Sequence, residues 1–201
     1  MTGDGGGAAD VPSYPFGPKL GVDVGLVRVG LAGCDRDGLL ATPIRTLKRD
    51  PRKNSDVRIL VREAIERGAV QVIVGFPKNL SGREGASADM ARTYAGLVVE
   101  ELFRQSHPLP VRLVDERLST VSAHRSLHSA GLSSREHRKV VDQVAAVEIL
   151  QHAIDTQRSR GRDVGDPVPV RDAEGAQSPQ LTPTEEPIIK DSSPSREDSE
   201  S

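Results

Sequence analysis

The chain has 201 residues and a formal net charge of −2, with one Cys, no Trp, two Tyr and three Phe. A single cysteine excludes a disulfide framework and points to a reducing compartment. The near-neutral charge is far from a strongly basic nucleic-acid binder, and so few aromatics cannot make a stacking platform for single strands. No run reaches the ~20 apolar residues of a membrane span, and the N-terminus lacks the basic and apolar regions of a signal peptide. A cytoplasmic protein without membrane association is expected.

Charge and complexity divide the chain. Residues 18–157 carry 21 Lys and Arg against 17 Asp and Glu, a net of +4; residues 158–201 carry 6 against 10, a net of −4. Residues 1–17 are Gly-rich and residues 158–201 are rich in Ser, Pro and acids. Such segments bury too little apolar surface to offset ordering entropy, so both are expected to be disordered. Residues 18–157 then form one domain with a real core. Its mild basicity suits a nucleic-acid partner.

In chain order, Leu20-Gly21-Val22-Asp23-Val24-Gly25 alternates with period two and predicts a strand. Val22 and Val24 take one face; Gly21, Asp23 and Gly25 take the other. Bare glycines around Asp23 predict a face that a ligand or metal can approach closely. Gly25-Leu26 can turn the chain into a second strand, 27–34, and Asp35-Arg36-Asp37-Gly38 into a third, 39–47. Pro43 argues that the third lies at a sheet edge. Cys34, inside the second strand, reads as a small buried hydrophobe.

The pattern then changes period. A helix is predicted over 55–67, with Asn54 or Ser55 before it and Gly68 after it. Residues 69–75 form a central strand, 76–85 a loop and 86–105 a long helix. A strand over 111–115, a helix over 120–130 and a last, mostly buried helix over 138–156 complete the order β-β-β-α-β-α-β-α-α. That is the order of a ribonuclease H-like fold, a mixed sheet with helices on both faces.

Three acidic positions stand out in this frame: Asp23 in the central first strand, Asp115-Glu116 at the end of the last strand, and Asp142 at the opening of the last helix. Packed in that fold they converge. Clustered carboxylates hold hard cations such as Mg²⁺, and two ions suffice for phosphodiester cleavage without a nucleophilic side chain. Asp115 and Glu116 are adjacent in extended chain, so only one of them faces Asp23. Asp142 has a second reading, as a first-turn acid that complements the helix dipole.

Four blocks resemble the YqgF/RuvX family of Holliday-junction-resolvase-like nucleases, implicated in maturing the 5′ end of pre-16S rRNA. They are Leu20-Gly-Val-Asp-Val-Gly with Arg28-Val-Gly-Leu-Ala32, Val72-Ile-Val-Gly-Phe-Pro77 with Gly82 and Gly85, Val114-Asp-Glu-Arg-Leu-Ser-Thr-Val121, and Val141-Asp-Gln-Val-Ala-Ala146 with Ile149-Leu-Gln151. The resemblance implies a metal-dependent hydrolase acting on precursor rRNA in ribosome biogenesis, with Mg²⁺ or Mn²⁺, in two sites, as cofactor. Asp23, Glu116 and Asp142 match the catalytic metal ligands, with Asp115 as the substitute for Glu116. Arg28, Lys78, Arg83 and Arg117 border the site as substrate contacts. Phe76 and Lys78 depart from the family pattern and bear on substrate fit. Branched DNA is the alternative substrate, ribosomal particles a further partner, and a non-catalytic RNA- or ribosome-binding module the alternative function.

Two further groups carry weaker signals. His124 and His128 are four apart on one helix face but lack a third ligand, and read as surface histidines. Ser133-Ser134-Arg135-Glu136-His137-Arg138-Lys139 reads as a polar, basic loop, either a guide for a nucleic-acid strand toward Asp142 or a solvated connection, with guidance favoured because it abuts the acids.

Overall fold

The computed structural model describes residues 13–77, 85–115 and 135–169. Alternating residues build β1 (Lys19–Val24) and β2 (Arg28–Cys34), joined by a tight turn in which the Gly25 N–H donates to the Arg28 carbonyl at 2.9 Å. They pair antiparallel, with Asp23 opposite Gly30 and Gly21 opposite Ala32. β3 (Ala41–Lys48) pairs antiparallel with β2 and lies at the sheet edge, as Pro43 requires. The register shifts beside Pro43: Leu31 faces Arg45 but Ala32 faces Pro43, so Ile44 is the extra residue of a bulge.

Helix α1 (Ser55–Glu66) follows, then β4 (Gln71–Phe76), α2 (Ala86–Arg104), β5 (Val111–Asp115), α3 (Arg135–Arg160) and β6 (Asp166–Pro167). α1 ends where Gly68 adopts φ 61°, which lets its N–H reach the Ile65 carbonyl and the Ala69 N–H reach that of Ala64. The sheet order is β3-β2-β1-β4-β5-β6. β1 is parallel to β4 and β4 to β5, so the expected mixed ribonuclease H-like sheet is formed with β1 central.

Alternation sorts side chains into two cores. Leu20, Val22, Leu31, Val74 and Phe76 pack with Leu60 of α1 and Tyr94 and Leu102 of α2. Ala32, Ile73 and Val114 pack with Ala146, Ile149, Leu150 and Ile154 of α3 on the opposite face. Helices therefore cover both faces.

Three expectations are corrected. The ordered domain continues past residue 157, where the composition of residues 158–201 as a whole predicted disorder. Val164 joins the core, β6 adds to β5, and Asp163 gathers Gln71, Gln157 and Arg112. Residues 13–17 also lie within the described fold, and Ser13 bonds to the Gly161 carbonyl. A short tied-down segment disappears in a window average. Second, α3 begins at Arg135, so residues 135–139 are helical rather than a loop. Third, Cys34 is half-buried rather than a core residue, and its sulfur accepts the Lys19 backbone N–H at 3.0 Å. Burial is the larger influence there, pushing its thiol up. The helix predicted over 120–130, with His124 and His128, lies outside the described residues.

Candidate active site

Asp23 stands one residue before the C-terminal end of β1 and is 5% exposed. It shares the α3 face of the sheet with Gly21, Gly30 and Ala32, because directly opposed residues on an antiparallel pair point the same way. The glycines do not leave this face open. A Cβ at Gly21 would lie 2.6 Å from the Leu150 Cβ, and one at Gly30 would overlap the Asp142 carbonyl oxygen. Their bareness lets α3 sit down on the sheet; it is not an entry for a ligand, as the sequence pattern suggested. That close approach brings Asp142 over Gly30, the cross-strand partner of Asp23.

Asp142 is the eighth residue of α3, two turns in, so it does not complement the helix N-terminus. The reading as a first-turn acid fails because the helix starts earlier than predicted. Its carboxylate instead accepts from Arg28 Nε at 2.5 Å, with both side chains about three-quarters buried. Arg28 thus lies in the site, held against an acid. Next to it, Gln143 Nε2 donates to Thr46 Oγ1 at 3.3 Å, and Thr46 is the β3 residue opposite Gly30. These contacts fix the turn of α3 that carries Asp142.

Register separates the two adjacent acids of the last strand. Asp115 is level with Phe76, which packs into the α1/α2 core. Val114, one residue earlier, belongs to the α3 core. Asp115 is therefore on the face away from Asp23. Phe76 is likewise turned from the site, with the Arg92 guanidinium 4.9 Å from its ring, so this departure from the family pattern bears on the core rather than on substrate fit. Glu116, Lys78, Arg83 and Arg117 lie outside the described residues. Among the described residues, no three His, Cys, Asp or Glu side chains are grouped closely enough to hold a metal ion. The pair that is brought together is Asp23 and Asp142.

Burial lowers the Lys19 amine, and the neighbouring Cys34 and Asp163 oppose it in part. Lys19 lines a cavity of about 340 Å³ with Tyr14, Phe16, Leu39 and Gln157, remote from Asp23 along the strand. Sequence reasoning missed Gly30 as a determinant of the site. The signal was there: with the turn at Gly25, Gly30 falls opposite Asp23.

A mixed α/β sheet with a carboxylate on its central strand, covered by a helix that seats a second acidic residue over the facing glycine, is the frame of the candidate site. The chain matches the family model RuvX, described as Holliday junction resolvase, over residues 17–156, and it belongs to that family. It is 52% identical over 143 residues to a Kineococcus radiotolerans protein named "Putative pre-16S rRNA nuclease", covering 71% of this chain and 74% of that one. A Clavibacter michiganensis protein of the same name is 48% identical over 154 residues, covering 77% and 92%. Among solved structures, Thermus thermophilus RuvC in complex with Holliday junction substrate is 17% identical at a TM-score of 0.45, covering 71% of this chain and 96% of that one. No helix among the described residues is long and apolar enough to cross a membrane.

Proposed function

We propose that the protein is a cytoplasmic, metal-dependent nuclease that hydrolyses phosphodiester bonds in the 5′-end maturation of pre-16S rRNA. The observation that carries this reading is the seating of Asp142 over Gly30 beside Asp23, in a chain of the RuvX family whose relatives bear the name "Putative pre-16S rRNA nuclease". Ribosomal particles are the proposed wider partner.

The donor set fits Mg²⁺ or Mn²⁺. Asp23 and Asp142 offer carboxylate oxygens, the hard ligands that these ions take. Glu116 is the proposed third ligand, because Asp115 is on the opposite face. Two ions held there would activate a water and stabilise charge at the leaving oxygen. The chain's own residues do the positioning. β1 fixes the Asp23 carboxylate in a rigid ladder, and Arg28 holds Asp142 in one rotamer. Lys78, Arg83 and Arg117 are proposed to take backbone phosphates.

The test is a Mg²⁺ and Mn²⁺ titration of cleavage on precursor 16S rRNA and on four-way-junction DNA, with wild type and Asp23→Asn. Asp23→Asn is expected to lose cleavage by at least ~100-fold while melting as wild type does. Full activity in Asp23→Asn overturns the metal proposal. The second reading, a branched-DNA resolvase, is favoured by the family description and predicts cleavage of the junction alone. Binding without turnover, unchanged by EDTA, would mark a non-catalytic module.

A further inference from the structure

The β1–β2 turn projects from the same end of the sheet as Asp23. Leu26 is 85% exposed and Val27 62% exposed. Their exposure is not that of a slack loop. The Gly25 N–H donates to the Arg28 carbonyl, and the Arg49 N–H donates to the Val27 carbonyl at 2.9 Å. The second bond ties the turn to the loop after β3. That loop is itself fixed: Ser55 Oγ donates to Asp50 at 2.6 Å, and the Lys53 N–H to the same carboxylate. Two large aliphatic side chains are thus presented to solvent on a rigid mount.

Lys48 stands beside them. It is the cross-strand partner of Arg28, so the two share the α3 face with Asp23 and Asp142. Other cations nearby are consumed: Arg28 by Asp142, Arg45 by Glu63, Arg49 by Asp56. Lys48 is exposed and makes no ion pair among the described residues. Exposed Arg52 and Lys53 continue the basic strip along the loop.

We propose that this corner is a substrate rim, in which Lys48 holds a backbone phosphate and Leu26 and Val27 rest against an unpaired base, so that the site selects single-stranded over continuous duplex nucleic acid. The inference rests on the nuclease reading and names its substrate form. A duplex exposes charged backbone and hides its base faces by stacking. Base faces are the apolar surface a nucleic acid can offer to two aliphatic side chains, and they become available where pairing is lost. Lys48 is level with Arg28 on the α3 face, and Leu26 and Val27 immediately precede Arg28 in the turn, at the end of the sheet that carries Asp23.

Binding is read by fluorescence anisotropy with a labelled single-stranded RNA oligonucleotide and the same sequence as a duplex. The Asp23→Asn background in Mg²⁺ separates binding from turnover, and each variant's melting is checked against its parent. The parent is expected to prefer the single strand. Leu26→Ser with Val27→Ser is expected to weaken single-strand binding about tenfold, through the apolar area no longer removed from water, and leave duplex binding unchanged. Lys48→Ala is expected to reduce the slope of log affinity against log salt by about 0.7 for the single strand. Parental preference for duplex, or undiminished single-strand binding in the turn variant, overturns the proposal and leaves the nuclease reading standing if Asp23→Asn has lost cleavage. A parent that binds neither RNA, with cleavage intact in the wild type, overturns the rim alone. Absence of both binding and wild-type cleavage overturns the rim and the nuclease reading together.

Discussion

The two faces of the sheet are built on opposite principles. Under α1 and α2 the strands present Leu20, Val22, Leu31, Val74 and Phe76, and large side chains keep the helices at ordinary distance. Under α3 the same strands present Gly21, Asp23, Gly30 and Ala32, and the helix comes close enough for its backbone to touch the strands. The first face stabilises, because buried apolar area is its main content. The second gives up apolar area and seats the turn of α3 that carries Asp142 over Gly30, the cross-strand partner of Asp23. Small residues beneath a helix thus do for a site what large ones do for a core: they set a distance.

Polar burial differs as well. The α1/α2 side contains a buried ion pair, Arg49 with Asp56 at 2.9 Å, and the Arg49 guanidinium lies 4.5 Å from the Tyr94 ring centroid. Asp56 also accepts the Asp50 N–H. Asp56→Ala leaves that buried cation uncompensated and is expected to cost about 3–5 kcal/mol in urea unfolding, the largest effect of the set. A loss below about 1 kcal/mol would show that this side does not depend on the pair. Such a result would narrow the contrast between the faces.

The contrast is tested more directly by adding one methyl to each face. Gly30→Ala drives a Cβ into the Asp142 carbonyl, and α3 has to shift. The expected loss is about 1–3 kcal/mol, with cleavage falling further than stability because Asp142 moves. Gly96, in α2, has nothing within 4 Å of its added Cβ. Gly96→Ala is expected to raise stability by about 0.5–1 kcal/mol, the smallest effect, through helix propensity and unfolded-state entropy. Thermal melts of both variants decide the matter. Equal tolerance at Gly30 and Gly96 would break the claim that α3 is seated by contact.

Much of the fold was legible because periodicity and punctuation agree along the chain. Alternation through Leu20–Val24, the turn at Gly25, the edge marker Pro43 and the stop at Gly68 each place an element within a residue or two. Asp23 was legible as a candidate because it stands between glycines in an alternating apolar strand. The purpose of the glycines beside it was not legible. A glycine shows that something approaches, and only packing shows whether that is a ligand or, as here, a helix. Asp142 was found by its place in a motif, but its surroundings were misjudged, since Ser133-Ser134 before Arg135 was read as part of a polar loop rather than as a helix-start signal. The close of the domain was missed because Asp163 acts through partners 92, 6 and 51 residues away in sequence, Gln71, Gln157 and Arg112.

The sequence by itself determined the order of the elements from β1 to β5 and the acids on those strands, because those depend on local period and on residue chemistry. Tertiary structure decided which acids meet. Strand register turns Asp115 away from Asp23, and α3, lowered onto Gly21 and Gly30, sets Asp142 beside it and beside Arg28. Such distances depend on how closely a helix can approach a sheet, and that is set by contacts between residues far apart in the chain.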